Sequence, residues 1–230
     1  MIRPIRLRRK RVLVDVDTQK DLFLADGAAC VRNHRRILMN IRRALAWARM
    51  KHIRMVSTEL CKTGKNGDTF CIAGTKGQEK ISYTFRNKRL EFQADGCTDL
   101  QKDIFIHYDQ IILNKRCEDP FDEPRAERLL TELKADEFII IGGLAEGAVL
   151  ATVLGLLQRG KHVTVFVDAV GTHDRHKADI ALRKMKAKGA TLIETRIYAG
   201  ATHLKTAGIC NCKLCQAEEK LAQFKTSIGA

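Results

Sequence analysis

The amino-acid sequence predicts an α/β fold, a three-layer α-β-α sandwich of the Rossmann type with a six-stranded, mainly parallel sheet. Three observations lead to this prediction. Apolar runs recur along the chain, helix-period segments separate them, and the runs are apolar at nearly every position instead of alternating with polar residues. Strands of this kind are typical of a parallel sheet that helices cover on both faces.

The strands and helices are predicted in alternating order. Strand-like runs occupy residues 12–16, 53–56, 111–113, 138–141, 163–167 and, more weakly, 191–193. Helical periodicity is found at residues 31–50, 123–133, 146–159 and 176–188, the last of which ends at Gly189. Residues 61–105 contain five glycines and little periodicity, so we expect loops with short strands there that shape a site or an interface.

The 230 residues are enough for one α/β domain, which we assign to residues 12–200. Residues 1–11 form a basic N-terminal arm, and residues 201–230 form a cysteine-containing C-terminal tail with a short helical pattern at 214–224. No run of 18 apolar residues and no signal-peptide pattern occurs. We therefore expect a soluble, cytoplasmic protein that does not associate with membranes.

The formal net charge of +14 and the pI of about 9.6 favour an acidic partner. Besides the basic arm, Arg35, Arg42 and Arg49 recur every seven residues and are predicted to form a solvent-exposed stripe on one helix. A nucleic acid or an acidic protein would fit such a surface. The alternative is a surface that only keeps the protein soluble, because no interleaved aromatic residues or known binding motif accompany the charges.

Polar residues that follow apolar strands are the first candidates for a site, because sites in parallel sheets form at the carboxyl ends of strands. Asp17 follows the first strand, Lys115 the third, and Gly142 with Gly143 ends the fourth. Taken singly, each of these is more typical of a helix cap or a solvated side chain than of a catalyst. Their combination carries more information.

Three segments together resemble the isochorismatase-like hydrolases, also called the cysteine hydrolase superfamily. Residues 17–23 (DTQKDLF) are similar to the family motif D-x-Q-x-D-F with one residue inserted, and residues 115–121 (KRCEDPF) match its lysine followed six residues later by phenylalanine. Residues 142–149 (GGLAEGAV) align with G-x-x-T-[DE]-x-C-V. The resemblance implies that Asp17 is the acid/base, that Lys115 is the catalytic lysine, and that Ala148 stands where the family has its nucleophilic cysteine.

Ala148 has no nucleophilic atom, so the family's covalent amide hydrolysis is excluded for this sequence. Three explanations are open: a pseudoenzyme that retains the fold, a deliberate cysteine-to-alanine substitution, or a relative of the true isochorismatases, which lack the cysteine and hydrolyse a vinyl ether by protonation. Ala145 also replaces the family's threonine, and residues 57–61 (STELC) lack its D-x-H metal motif. These departures favour an atypical or inactive member over an engineered one, and we expect no catalytic metal.

The C-terminal tail suggests a second kind of site. Cys210, Cys212 and Cys215 provide three thiolate ligands within six residues, and His203 is the nearest candidate for a fourth. A structural zinc ion bound by this set is one interpretation, and unliganded thiols are the other.

Two functional hypotheses follow. In the first, Asp17 and Lys115 hydrolyse a small molecule at a C–N bond or a vinyl ether, in a homo-oligomer as is common in the family. In the second, the domain is an inactive scaffold whose basic surface binds RNA or an acidic partner.

Overall fold

A computed structural model of the chain describes residues 10–65 and 67–200. The strands in these residues are β1 (Arg11–Val16), β2 (Arg54–Leu60), β3 (Arg89–Phe92), β4 (Gln110–Lys115), β5 (Glu137–Gly142), β6 (Val163–Val170) and β7 (Thr191–Ile193). They form one sheet in the order β3-β4-β2-β1-β5-β6-β7, and every neighbouring pair is parallel. The carboxyl ends of all these strands therefore lie at one edge of the sheet.

Helices cover both faces of this sheet. They are α1 (Lys20–Phe23), α2 (His34–Met50), α3 (Ile104–His107), α4 (Pro124–Glu132), α5 (Ala148–Gln158), α6 (Arg175–Ala187) and α7 (Thr195–Ala199). Apolar residues of α2 fill the core on one face, and those of α4, α5 and α6 fill the core on the other. The predicted three-layer α/β fold is thus confirmed. None of the described helices is long and apolar enough to cross a membrane.

The predicted number of six strands is wrong, because the described part of the sheet has seven. The additional strand, β3, lies in the stretch that the sequence predicted as loops with short strands. Its sequence, RLEF, contains two charged residues, and its side chains alternate between exposed and half-buried. An edge strand of four residues needs no apolar run, so the pattern that revealed the buried strands could not reveal this one.

The connection from β2 to β3 folds back over the carboxyl ends of β1 and β2. The Ile81 N–H donates a hydrogen bond to the Thr18 carbonyl at 3.1 Å, and the Lys20 N–H donates to the Glu79 carbonyl at 2.9 Å. A further bridge joins Lys62 to Ile72 within the connection. These bonds hold the connection against the edge where the candidate residues lie.

The arginine stripe of α2 is only partly exposed. Arg35 faces solvent as predicted, and the apolar residues on the opposite side of the helix are buried. The guanidinium of Arg42 lies 4.4 Å from the centre of the Tyr83 ring. Arg49 is half-buried, because its guanidinium donates hydrogen bonds to the carbonyls of Tyr83 and Phe85. The prediction of a fully solvent-exposed stripe is therefore wrong at Arg49, which anchors the connection that follows β2.

Candidate active site

Asp17 and Lys115 form an ion pair at the carboxyl edge of the sheet. Lys115 is the last residue of β4, and Asp17 follows directly after β1, with β2 between the two strands. The Lys115 Nζ lies 2.7 Å from Asp17 Oδ2, and the two side chains are only 0% and 1% exposed. The structure therefore brings together two of the residues that the sequence singled out.

The surrounding groups fix both side chains in place. Asp17 has a φ of 46°, in the left-handed region that aspartate tolerates better than most residues. Thr58 Oγ1 donates to Asp17 Oδ1 at 2.6 Å and accepts the Asp17 N–H at 3.2 Å. Lys115 Nζ also donates to the carbonyls of Cys117 and Glu118, at 3.0 and 3.1 Å. All three ammonium hydrogens of Lys115 thus have an acceptor.

Ala148 is buried and is the first residue of α5. The segment after Lys115 lies close to this helix start, since a side-chain carbon added to Gly147 would lie only 2.8 Å from Glu118 Oε2. Glu118 thus reaches both the Asp17–Lys115 pair, through its carbonyl, and the beginning of α5, through its carboxylate. Sequence patterns gave no reason to single out Glu118.

Several backbone N–H groups at the start of α5 have no acceptor. Among the described residues, the N–H groups of Leu144, Glu146 and Ala148 donate no hydrogen bond, whereas the Ala145 N–H donates to the Gly171 carbonyl at 2.8 Å. Unpaired N–H groups at the start of a helix can bind a negatively charged oxygen. This arrangement could therefore stabilise an oxyanion close to the position of Ala148.

A second buried ion pair lies beside the first, and the sequence analysis missed it. Lys80 Nζ lies 2.9 Å from Asp15 Oδ2, and both side chains are 0% exposed. Lys80 also donates to the Thr58 carbonyl at 3.1 Å, while Ser57 and Thr18 donate hydroxyl hydrogen bonds to the Asp15 carboxylate. Asp15 lies inside an apolar strand and Lys80 in an aperiodic stretch, so neither position carried a recognisable signal.

Glu59 provides a third buried acidic group at this edge of the sheet. It is 7% exposed, and Gln78 Nε2 donates to its Oε1 at 2.6 Å. Burial raises the pKa of the Glu59 carboxyl to about 7, and the negative charges of Glu91, Asp17 and Asp15 act in the same direction, while Lys80 opposes them. Glu59 therefore keeps its proton to a higher pH than an exposed glutamate does.

The two cysteines near the ion pairs are neutral thiols. Burial, aided by the charges of nearby carboxylates including Asp17, raises the pKa of Cys61 to about 12. The same causes raise the pKa of Cys71, which is fully buried. Because the thiolate is the reactive form, neither residue is suited to replace the nucleophile that Ala148 lacks.

The comparisons with known proteins agree with the observed fold. The family model of the isochorismatase domain matches residues 11–197. The chain belongs to the isochorismatase family. A comparison with curated proteins gives no match.

Solved structures with the same fold have low sequence identity to this isochorismatase-family chain. Pyrazinamidase of Pyrococcus horikoshii in complex with zinc is 22% identical, with a TM-score of 0.64 over 80% of this chain and 99% of that one. The MAR1 ribonuclease of Caenorhabditis elegans is 21% identical, with a TM-score of 0.59 over 87% and 88%. N-carbamoylsarcosine amidase of Thermoplasma acidophilum is 18% identical, with a TM-score of 0.61 over 81% and 96%. At these identities the likeness shows the fold alone.

The residues at the end of β2 do not fit a metal ion such as the zinc of that pyrazinamidase. Gln78 Nε2 donates to Glu59 Oε1 and lies 3.1 Å from Cys61 Sγ, so an N–H donor points at the two atoms that would have to be ligands. In the described ranges, no group of three His, Cys, Asp or Glu side chains could hold a metal. The predicted zinc ligands His203, Cys210, Cys212 and Cys215 lie outside the described residues.

Proposed function

We propose that the chain is an atypical hydrolase of the isochorismatase family that acts on a small molecule, at a C–N bond or a vinyl ether, through Asp17 and Lys115 and without a cysteine nucleophile. The observation that carries this proposal is the 2.7 Å ion pair between Asp17 and Lys115 at the carboxyl edge of the sheet. A carboxylate held beside an ammonium group can transfer a proton and stabilise a developing negative charge.

Ala148 decides which route is open. Its methyl group cannot attack a carbonyl carbon, so the reaction must proceed by proton transfer and addition of water. For a vinyl ether, the Asp17 carboxylate first takes up a proton from solvent and gives it to the vinyl carbon, and water then adds to the carbon that bears the ether oxygen. The adduct separates into a carbonyl compound and an alcohol, and the proton released by water returns to Asp17. The free N–H groups of Leu144 and Ala148 would hold an oxygen of the substrate.

The proposal is tested by replacing Asp17 with asparagine and measuring hydrolysis of nicotinamide, an N-carbamoyl amino acid and isochorismate. We expect the wild-type protein to hydrolyse at least one of these and Asp17→Asn to be slower by about 100-fold or more, because general acid–base catalysis contributes about 10²–10⁴-fold. Asp15→Asn is the matched control, since it disturbs the neighbouring buried ion pair by the same change of one atom.

Loss of activity in Asp17→Asn but not in Asp15→Asn would support the proposal. Equal activity of Asp17→Asn and the wild-type protein would refute it, and so would equal losses in both variants, because these would reflect general damage to the fold. Absence of activity in the wild-type protein on all three substrates would favour the inactive scaffold.

The second candidate is this scaffold, which would bind RNA or an acidic protein. Two observations favour it: Ala148 at the start of α5, and the net charge of +14. A further point in its favour is the fold shared with a protein described as a ribonuclease. We also retain, as proposals, a structural zinc at His203, Cys210, Cys212 and Cys215 and assembly into a homo-oligomer.

A further inference from the structure

Helix α6 carries several exposed cations on its solvent-facing side. Six exposed lysine and arginine side chains lie in this helix or directly after it: Arg175, Lys177, Arg183, Lys184, Lys186 and Lys188. We call this set the α6 track. The acidic residues beside it are Asp174, before the helix, Asp179, within it, and Glu146, whose carboxylate accepts the N–H groups of His173 and Asp174.

Most cations of the α6 track have no partner in the protein. Lys177 lies 4.0 Å from Asp174, whose carboxylate also accepts the N–H groups of His176 and Lys177. Within residues 10–65 and 67–200, the other five track side chains make no ion pair or side-chain hydrogen bond. Their charges are therefore available to a ligand.

Helices α4 and α5 on the same face of the sheet differ in this respect. Arg128 pairs with Glu132 at 3.0 Å, Arg125 pairs with Asp95 at 3.0 Å, and Arg159, which follows α5, pairs with Glu127. A high content of lysine and arginine in this protein therefore does not by itself leave cations unpaired. The α6 track differs in having, within the described ranges, one ion pair, between Lys177 and Asp174, for six cations.

The stability of helix α6 explains only some of the cations in the track. Cations in the last turn, such as Lys184 and Lys186, interact favourably with the negative end of the helix dipole. Arg175 and Lys177 stand in the first turn, where the dipole disfavours positive charge. Lys184 and Lys188 are four residues apart, a spacing at which like charges destabilise a helix by about 0.2–0.5 kcal/mol. The complete set is therefore not explained by the stability of α6.

The carboxyl-terminal part of the track has a spacing that suits a chain of phosphates. Arg183 and Lys186 are three positions apart, and Lys184 and Lys188 are four, so the Cβ atoms within each pair lie about 5–6 Å from each other. At the first turn of α6 the track approaches the start of α2, because His173 Nε2 lies 2.6 Å from the Ala29 carbonyl oxygen. The exposed residues Arg32, Arg35 and Arg36 extend the positive surface from there.

We infer that the α6 track binds the sugar-phosphate backbone of a single-stranded nucleic acid. This inference deepens the second candidate function, since it names a polynucleotide as the acidic partner and places it on α6. Helix α6 contains no Phe, Tyr or Trp, so recognition rests on phosphates and is independent of base sequence. An anionic membrane fits less well, because α6 exposes a single large apolar side chain, Ile180, while Ala178, Ala181 and Met185 are buried.

The experiment measures binding of the full chain to a fluorescein-labelled 12-nucleotide single-stranded RNA by anisotropy, at KCl concentrations from 50 to 300 mM. The track variant is Arg183→Gln, Lys184→Gln, Lys186→Gln and Lys188→Gln, in which glutamine keeps a good helix propensity. The control variant has four exposed lysines of the β2–β4 connection replaced by glutamine: Lys65, Lys76, Lys88 and Lys102. Each variant removes the same net charge, and the control positions lie outside α6.

We expect the track variant to bind the RNA about 100-fold more weakly than the wild-type protein at 100 mM KCl. The slope of log K against log[KCl] should be smaller by about 2.8, because each phosphate that the variant no longer neutralises contributes about 0.7. The control variant should change either quantity much less. Equal effects of the two variants would show that only net charge matters and would overturn the inference, as would absence of RNA binding by the wild-type protein or binding only to vesicles of anionic lipid.

A variant without residues 1–9 separates this inference from the wider scaffold hypothesis. If this deletion abolishes binding and the track variant binds normally, the scaffold binds RNA through the arm and the α6 inference is wrong. If the track variant alone binds more weakly, the inference holds. Thermal melting of each variant checks that the domain remains folded.

Discussion

The two buried ion pairs at the carboxyl edge of the sheet share their chemistry but differ in their surroundings. The Asp15–Lys80 pair joins β1 to the connection that follows β2, and its carboxylate accepts hydrogen bonds from the hydroxyl groups of Ser57 in β2 and Thr18 after β1. The Asp17–Lys115 pair lies at the strand ends, and its ammonium group donates hydrogen bonds to the segment that reaches the start of α5. Burial and pairing alone therefore do not distinguish the two pairs, whereas their positions relative to the strand ends and to the start of α5 do.

The largest expected effect is on stability and concerns both pairs. Replacing Lys80 or Lys115 by methionine leaves Asp15 or Asp17 buried without its cation, which typically costs about 3–5 kcal/mol. We expect each variant to lower the free energy of unfolding by an amount of this size, measured by urea denaturation at pH 7. In an assay at 4 °C, Lys115→Met should have lost any hydrolytic activity of the wild-type protein, and Lys80→Met should have retained it.

Double variants provide the control for this prediction. Asp15→Asn combined with Lys80→Met removes both charges, so it should recover at least half of the stability that Lys80→Met loses. If the double variant is as unstable as the single one, the loss comes from the methylene packing of Lys80 and not from the unpaired Asp15. The same comparison applies to Asp17 and Lys115.

A smaller effect is expected at Glu59, which lies close enough to both pairs for their charges to influence its pKa. Its pKa in the folded protein, about 7, is above its ordinary value of 4.5, so the folded state binds the proton more tightly than the unfolded state. The stabilisation is complete below about pH 4.5 and disappears as the pH rises through 7. Glu59→Gln should remove this pH dependence. At pH 8 its free energy of unfolding, measured by urea denaturation, should exceed that of the wild-type protein by about 2 kcal/mol.

Glu91→Gln is the informative control for Glu59. The Glu91 side chain accepts a hydrogen bond from Asn114 at 3.1 Å, and its negative charge helps to raise the pKa of Glu59. Its removal should move the transition in the stability profile to lower pH without abolishing it. A profile of Glu59→Gln that still falls between pH 5 and 7 as in the wild-type protein would assign the titration to another group.

The sequence predicted some parts of the molecule and not others, depending on where the residues lie in the fold. The buried strands were predicted because a parallel sheet demands apolar side chains on both faces, and Asp17 and Lys115 were found because they interrupt that rule where strands end. Lys80 was not found, since its partner Asp15 is 65 residues away and nothing in the local sequence announces a contact of that range. Glu118 was not found for the same reason, because its place at the start of α5 depends on its closeness to Gly147 in a different segment.

The charged surface shows a related limit. Periodicity correctly placed Arg35, Arg42 and Arg49 on one side of α2, but it could not show that the carbonyls of Tyr83 and Phe85 would accept hydrogen bonds from Arg49. Spacing along a helix gives the direction of a side chain, while its exposure depends on which other segment covers it. The unpaired cations of α6 became visible only when the positions of the acidic residues were known.

The smallest expected change in stability, and the sharpest test of the difference between the two ion pairs, is Ala148→Cys. A thiol at the start of α5 would lie near the positive end of the helix and near the free N–H groups of Leu144 and Ala148, which favour the thiolate. We expect a free energy of unfolding within about 1 kcal/mol of the wild-type value, faster alkylation by iodoacetamide than at the buried Cys71, and new hydrolysis of nicotinamide or another amide.

Ala148→Ser, in which a hydroxyl replaces the thiol, is the control for nucleophilicity. Combining Ala148→Cys with Asp17→Asn should abolish the new amidase activity, because Asp17 would take the thiol proton and later give it to the leaving amine. Combining it with Asp15→Asn should not. If the new thiol reacts no faster than Cys71, the start of α5 does not activate a nucleophile in this chain, and the edge around Asp17 and Lys115 is then a binding surface and not an active site.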